Sequence, residues 1–497
     1  MKEKKKKVGI LITLLLFVAF SCKKDEPLGE PYLEFVSPSD EKVLVDSEGS
    51  FSNPIIITLK TNRDVLITSV DSVNGNTADW ISVFPSKLNK GTVSLTISVL
   101  QTLIRRTATI KVTTQAANEE DAEQVTISIL LRQSTINVSL PGTLRDYVGG
   151  NTYDAKKIDV CGKIDARDIY FMNKFMQGIR EIDLRDVTIV AYTGSDGTVF
   201  ETTVSYPANE MPQNSFCNGT FFPGKKGLSS IILPKNLISI GKSAFADCGL
   251  EKIDIPENVT SIGEYVFYDC EKLTSANLPD GLVSIGTGAF RECEELTSIN
   301  LPDNLTIIQD ETFMDCPKLI SVHFPSNLKS IGNRAFLRCG LRGDLNLPLG
   351  LKSIGERGFG NCSGLKSVSF PVGLTSIGAN AFFGCIGLTE LHLPDGLTSI
   401  GYQSFCACDG LRTIVLPASL TSIDFFAFSS CWNLEEITCY SENPSIINSP
   451  YSIFSSEIKS TCILKVPAAV FELYKVAFAW KDFKNIQAFL KSATNFC

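Results

Sequence analysis

Across the second half of this chain, apolar and polar positions recur with one period. Cysteines stand at Cys248, Cys270, Cys293, Cys316, Cys339, Cys362, Cys385, Cys408 and Cys431, stepping by 23 residues after a first step of 22. Each lies three residues after a phenylalanine, from Phe245 to Phe428, and a proline ladder from Pro234 to Pro417 keeps the same step. A fixed period of this length means one supersecondary unit stacked on copies of itself, a solenoid without a closed catalytic core. In the copy from Leu296 to Cys316, the positions Leu296, Ile299, Leu301, Leu305, Ile308, Phe313 and Cys316 form the inward set. Ser298 and Asn300 alternate with Ile299, which predicts a short strand with polar residues outward. Pro302 ends that strand, having no N–H for the next coil. A second extended piece follows, clearest in Leu397-Thr398-Ser399-Ile400-Gly401. Its glycine is expected to take a positive φ before the phenylalanine turns inward.

The first part of the chain has a different rhythm. Between residues 31 and 135, period-two runs such as Ile55-Ile56-Ile57-Thr58-Leu59, Val93 to Val99 and Thr107 to Val112 are separated by turn-rich stretches. That pattern predicts an antiparallel β-sandwich of the immunoglobulin-like class. Residues 136–226 are expected to cap the solenoid, since an uncapped coil exposes its apolar interior. The run from Ile158 to Ile169 is expected to lead into a helix from Tyr170 to Gly178, followed by a strand from Ile179 to Leu184. Asp165, Asp168, Asp183 and Asp186 lack a calcium-loop pattern and are read as solvated turns and helix caps. The fold class is thus mainly β, a sandwich (31–135) followed by a capping unit, a solenoid of 23-residue repeats (227–438) and a C-terminal cap (439–497).

Residues 1–21 hold a lysine-rich head, an apolar run from Val8 to Phe20 and a small residue before Cys22, the pattern of an export leader too short to span a membrane comfortably. A linker of residues 22–30 follows. The formal net charge is −8, and the leader itself is basic, so the remainder is more acidic still. With no basic block beyond residue 24, nucleic acid is a poor partner. One cysteine per coil is explained by packing as a small apolar filler, so buried free thiols are expected rather than disulfides.

The recurring Leu-x-x-Ile-x-Leu-Pro-x-x-Leu-x-x-Ile-Gly-x-x-Ala-Phe-x-x-Cys resembles the leucine-rich repeats of BspA-like bacterial surface proteins. The stretch from Cys462 to Phe489, with Tyr474 and Trp480, resembles that family's C-terminal cap, which implies a helix from about Ala468. Ala19-Phe20-Ser21-Cys22 resembles a lipobox, which implies lipidation of Cys22 and attachment to a membrane through that lipid alone. Lys23-Lys24-Asp25-Glu26 resembles the acidic tag that sends lipoproteins to the outer face of the outer membrane. Trp80-Ile81-Ser82, Arg105 to Ile110 and Leu131-Arg132-Gln133 resemble the BACON family of sandwich domains, with Trp80 read as core.

No catalytic, metal or cofactor motif stands out. The two histidines, His323 and His392, lie three repeats apart, so at about 4.8 Å per coil they are ~14 Å apart, too far to share a metal or a proton. What remains is a face made of two outward strand columns. Ser275, Ser298, Ser321, Asp344, Ser367 and Glu390 belong to one; Asn277, Asn300, His323, Asn346, Ser369 and His392 belong to the other. A flat, mildly polar sheet over ~40 Å suits a protein or a long glycan more than a small molecule. The resemblance implies host or bacterial extracellular proteins as partners; the BACON-like segment implies glycan capture as the alternative. Gly340-Leu341 brings the leucine one place early and adds Arg342-Gly343-Asp344. That triplet matches integrin ligands, but such matches are common and a rigid strand is expected to hide it.

Overall fold

In a computed structural model, the described residues are 136–148, 155–217, 224–446 and 453–490, together with strand segments between residues 9 and 133. Cys22, the 23–26 tag and Trp80 lie outside the described residues. The chain divides into two compact units, Met1–Val190 and Ala191–Cys497.

The first unit holds two antiparallel sheets. One orders Leu15–Val18, Thr126–Gln133, Arg106–Thr114, Val65–Ser72 and Lys87–Leu88; the other orders Leu33–Ser37, Ile55–Thr61, Gly91–Val99 and Ile81–Phe84. Val65 and Val112 of the first sheet and Leu95 of the second are fully buried. The apolar run expected as an export leader also enters strands, Gly9–Thr13 against Lys42–Asp46 and Leu15–Val18 against Thr126–Gln133. An unpaired sheet edge is a ready template for such a run while it remains attached.

The same unit closes on three parallel strands, Ile136–Val138, Lys157–Ile164 and Glu181–Ile189. The helix between the last two spans Ala166–Phe175, starting four residues before the predicted Tyr170 because Asp165 caps it and Asp168 closes a capping box. The capping role expected of Asp165 and Asp168 is present and Asp186 is exposed, but the other three aspartates are not solvated. Asp165, Asp168 and Asp183 are buried, and Asp168 accepts hydrogen bonds from the backbone N–H groups of Gly142, Leu144 and Asp165 at 2.6–3.0 Å. Three donors satisfy a carboxylate that burial alone would penalise.

The second unit is the solenoid. Each coil carries a short wall strand of three to six residues, such as Ser298–Asn300, and a two-residue strand, usually Ser–Ile, such as Ser376–Ile377. Parallel pairing joins six consecutive two-residue strands of the second kind, from Ile307–Ile308 to Ser422–Ile423, into one sheet. Phenylalanines stack down the core in an unbroken file, Phe216, Phe245, Phe267, Phe290, Phe313, Phe336, Phe359, Phe382, Phe405, Phe428 and Phe454, with neighbouring ring centroids 5.1–5.7 Å apart. The file extends one ring beyond the sequence register at each end. Phe454 then meets Trp480 and Phe483, and Trp480 and Tyr474 are fully buried. The C-terminal cap contains Ser456–Thr461, a single 3₁₀ turn at Ala468–Val470 and a helix Phe471–Val476, and it adds two more parallel wall strands, Ile463–Pro467 and Asn485–Phe489.

The repeat glycines do not take the positive φ expected of them. The left-handed residues are instead the one before each cysteine (Asp247, Asp269, Glu292) and the second before each phenylalanine (Ser243, Tyr265, Glu311). Inter-coil bonds hold this strained segment: Tyr265, Phe267 and Asp269 donate their N–H groups to Thr287, Ala289 and Arg291 carbonyls at 2.8–2.9 Å. The glycines serve close approach. A Cβ on Gly286 would lie 2.5 Å from the Glu264 nitrogen, and one on Gly401 2.8 Å from that of Ala379.

The cysteine file is reduced and buried, as its regular spacing predicted. Cys270 and Cys293 each hold Sγ 3.1 Å from the carbonyl oxygen of the preceding coil's phenylalanine, and the next six thiols repeat this at 3.0–3.2 Å. Burial pushes the Cys270, Cys362 and Cys431 thiols up to about 12, so almost no thiolate is present near neutral pH. Native protein treated with a thiol-specific alkylating agent at mildly alkaline pH should therefore leave this file unmodified. Concentrated guanidinium should make the same residues fully reactive, read by peptide mass mapping. Rapid native labelling of Cys339 or Cys362 would contradict the burial.

Candidate functional site

The wall strands place the two outward columns as the alternation predicted. Asn277, Ser298, Asn300, Ser321, His323, Asp344, Asn346, Ser369, Glu390 and His392 are exposed, Ser275 and Ser367 are half-buried, and the central residues Ile253, Ile299, Leu345 and Leu391 are buried. Neighbouring coils tie some of these side chains together. Ser367 Oγ donates to Asp344 Oδ1 at 2.6 Å, and Asn277 Nδ2 donates to Asp254 Oδ1. His323 and His392 both face outward and lie on different coil pairs.

The wall is not the single flat sheet expected from the period. Its strands pair in twos: Lys252–Asp254 with Ser275–Asn277, Ser298–Asn300 with Ser321–His323, and Arg342–Asn346 with Gly364–Ser369. Only from Glu390–His392 onward do five strands join. Longer runs of pairing lie on the Ser–Ile side, in one sheet of four strands and one of six.

One break in the wall is more than a missing ladder. The coil after Cys339 begins Gly340-Leu341, as the coil after Cys248 begins Gly249-Leu250, yet it reaches its proline one residue later. The coil keeps the 23-residue step, and the pairing bulges here: Gly343 has φ +78 and pairs with Leu365, while Asp344 pairs with Ser367, which leaves Lys366 of the neighbouring strand as the unpaired residue. A Cβ at Gly343 would meet nothing within 4 Å. Among the described wall strands of the repeat, Val322 is the central residue left partly exposed. A cleft of about 440 Å³ opens there, floored by Val322, Phe324, Leu341, Leu345 and Leu365 and rimmed by His323, Arg342, Asp344 and Asn346. Leu349, 81 % exposed, forms one shoulder, and Val372 on the next coil is 76 % exposed.

Arg342 and Asp344 are exposed rather than hidden by the strand, although Ser367 engages the Asp344 carboxylate. The outward columns were legible from alternation; the cleft, Val322, Phe324 and Leu349 were not. The signal at this place is the early Leu341, which leaves three residues rather than two before the next inward wall residue, Leu345.

On the third side of the coil, charged residues pair along the stack: Arg291 with Glu292 and Glu311, Arg334 with Glu311, and Arg338 with Asp315. Burial, followed by the Asp247 charge, raises the Asp269 carboxyl to about 6. Among the described residues no cluster of three or more histidine, cysteine, aspartate or glutamate side chains is placed to hold a metal ion, and no helix is long and apolar enough to cross a membrane.

Short parallel strands, a buried ladder on a 23-residue period and caps rich in aromatics define a leucine-rich-repeat solenoid. The BspA type leucine rich repeat region matches in six copies over residues 215–342 and 343–461. The chain belongs to that BspA-like leucine-rich-repeat family, whose repeats are a scaffold and whose members are typically surface-associated. Among solved structures it is similar to a leucine-rich repeat protein from Bacteroides ovatus ATCC 8483, at 26 % identity over 63 % of this chain and 84 % of that one, with a TM-score of 0.44. The pneumococcal vaccine antigen PcpA is similar at 18 % identity over 67 % and 79 % of the two chains, with a TM-score of 0.37. A leucine rich cell surface protein from Faecalibacterium prausnitzii A2-165 is similar at 20 % identity over 72 % and 84 %, with a TM-score of 0.35. No curated protein matches the chain.

Proposed function

We propose that this chain is a lipid-anchored surface interaction protein that binds extracellular proteins, of host or bacterial origin, through the wall face of its solenoid, without catalysis. The observation that carries this reading is the division of the coil. Stacked phenylalanines and thiols fill the interior, while serine, asparagine and histidine side chains stand in files on an open outer surface. Such a surface offers many weak polar contacts over a long track, the form in which solenoids bind macromolecules. Lipid on Cys22 would hold the protein at the outer membrane facing outward, with the N-terminal sandwich as a spacer.

The full chain should capture one or more proteins from a panel of extracellular matrix and plasma proteins. A combined Asn277→Arg, Asn300→Arg and His392→Glu variant should weaken that capture by at least ~10-fold, about 1.4 kcal/mol, with an unchanged circular dichroism spectrum. Binding that survives this variant would remove the wall face from consideration.

A glycan-binding reading draws on the third side of the coil. There Tyr265 and Tyr268 lie edge to face at 6.1 Å, and Tyr402 meets Phe425 at 4.6 Å, all half-buried. Aromatic faces of this kind suit sugar rings. Retention on a glycan array combined with no retention on the protein panel would favour it.

A further inference from the structure

We propose that the cleft at the Gly343 bulge is the anchoring subsite of the wall face, and that it takes an extended peptide presenting a large apolar side chain close to a carboxylate. This rests on the reading of the wall as a protein-binding surface and names the chemistry it selects. Three observations carry it together. The volume of about 440 Å³ falls within the range of sites that hold small groups. Its floor is apolar, built from Val322, Phe324, Leu345 and Leu365, and it is widened on its open side by the exposed Leu349. Its rim carries Arg342, which has no ion-pair partner among the described residues, and Asp344, whose carboxylate accepts a hydrogen bond from Ser367.

The third observation decides the ligand's charge. Of the six arginines in the solenoid unit, Arg291, Arg334, Arg338, Arg357 and Arg412 each lie within 4 Å of a glutamate or aspartate. Arg342 has no such partner among the described residues, and its guanidinium stands exposed at the cleft. A guanidinium offers a rigid fork of donors that matches a carboxylate in a way an ammonium does not. The bulge sets this up by re-aiming the strand. Arg342 stands directly beside this shift, at the edge of the apolar floor, and the residue in register with it on the next coil is Gly364, which offers no side chain to pair with. An apolar pocket with an unpaired guanidinium at its lip, beside an Asp344 carboxylate that Ser367 already engages, distinguishes an acidic–hydrophobic peptide from a neutral glycan, which would leave the floor unfilled and the guanidinium unmatched.

The test is selection of random twelve-residue peptides displayed on phage against the immobilised full chain. Enriched sequences should place leucine, isoleucine, methionine or phenylalanine within two residues of aspartate or glutamate. A synthetic copy of the strongest sequence should lose at least ~10-fold in affinity against Arg342→Glu and nearly as much against Arg342→Gln, two surface changes, with smaller loss against Arg342→Lys. Replacing the peptide's carboxylate by its amide should reproduce the loss, whatever either variant does to stability. Enriched peptides without an acid, or none enriched at all, would overturn the proposal. Equal affinity for Arg342→Glu would overturn it too; if the Asn277, Asn300 and His392 variant still weakened binding, the cleft would fall while the wall-face reading stood.

Discussion

Phe336→Ala should destabilise the solenoid by about 3–5 kcal/mol, the largest effect expected of a single substitution in the array. Phe336 is fully buried, stacks on Phe313 at 5.3 Å and on Phe359 at 5.2 Å, and receives the edge of Phe324 at 5.7 Å. Truncation removes the ring's transfer energy and leaves a void whose neighbours are fixed by coils above and below, so collapse is limited. Each aromatic contact adds about 0.5–1.5 kcal/mol beyond burial. In a stack stabilised by nearest neighbours, a weak interface at the centre also divides the array into two shorter blocks. Guanidinium unfolding followed by far-ultraviolet circular dichroism should show a lower midpoint and a broadened or split transition. A midpoint equal to that of the unmodified protein would mean that the phenylalanine file does not hold the coils together.

The second large effect has the opposite chemistry, addition of one methyl group. Gly378→Ala should cost about 1–3 kcal/mol, the usual range for overpacking. At an unstrained position the same change stabilises by about 0.4–1 kcal/mol, because alanine has less freedom to lose on folding. Gly378 does not have a positive φ, so backbone strain does not decide the sign. Distance does: a Cβ there would lie 2.7 Å from the carbonyl carbon of Gly355 and 2.8 Å from the Ile354 oxygen, both backbone atoms of the preceding coil. Backbone in a hydrogen-bonded stack cannot step aside cheaply. Gly281 supplies the control, since its added Cβ would meet only the Glu257 oxygen at 3.5 Å. Gly281→Ala should leave the melting temperature unchanged or slightly raised, while Gly378→Ala should lower it by several degrees. Equal behaviour of the two would refute the close-approach explanation.

The coil's inward and outward sets were legible because a 23-residue register repeats the same choice many times, and the buried phenylalanines, thiols and wall positions fell where alternation placed them. What escaped was whatever depends on the relation between coils. A glycine at a turn and a glycine under a neighbouring backbone look alike in sequence, which is why Gly286 and Gly401 were assigned the wrong reason. Period alone does not say which wall strands pair, so the two-coil blocks could not be foreseen. Phe216 and Phe454 lie off the strict spacing, yet the fold seats them on the file. The cleft lies where Leu341 stands one place early within an unchanged 23-residue step, a displacement that the period alone does not translate into an opened floor.

The sulfhydryl column has a consequence for how such a chain must mature. While unfolded outside the reducing cytosol it would present its cysteines to oxidants, and wrong crosslinks between any two would block closure. Folded, each sulfur in the file has its hydrogen directed at a carbonyl inside the stack. Closure between adjacent coils joins positions only 23 residues apart, whereas crosslinking takes seconds to hours. In an oxidising compartment, the zippering of neighbouring coils would therefore compete with crosslinking, and burial of the closed stack would keep its sulfur chemistry silent.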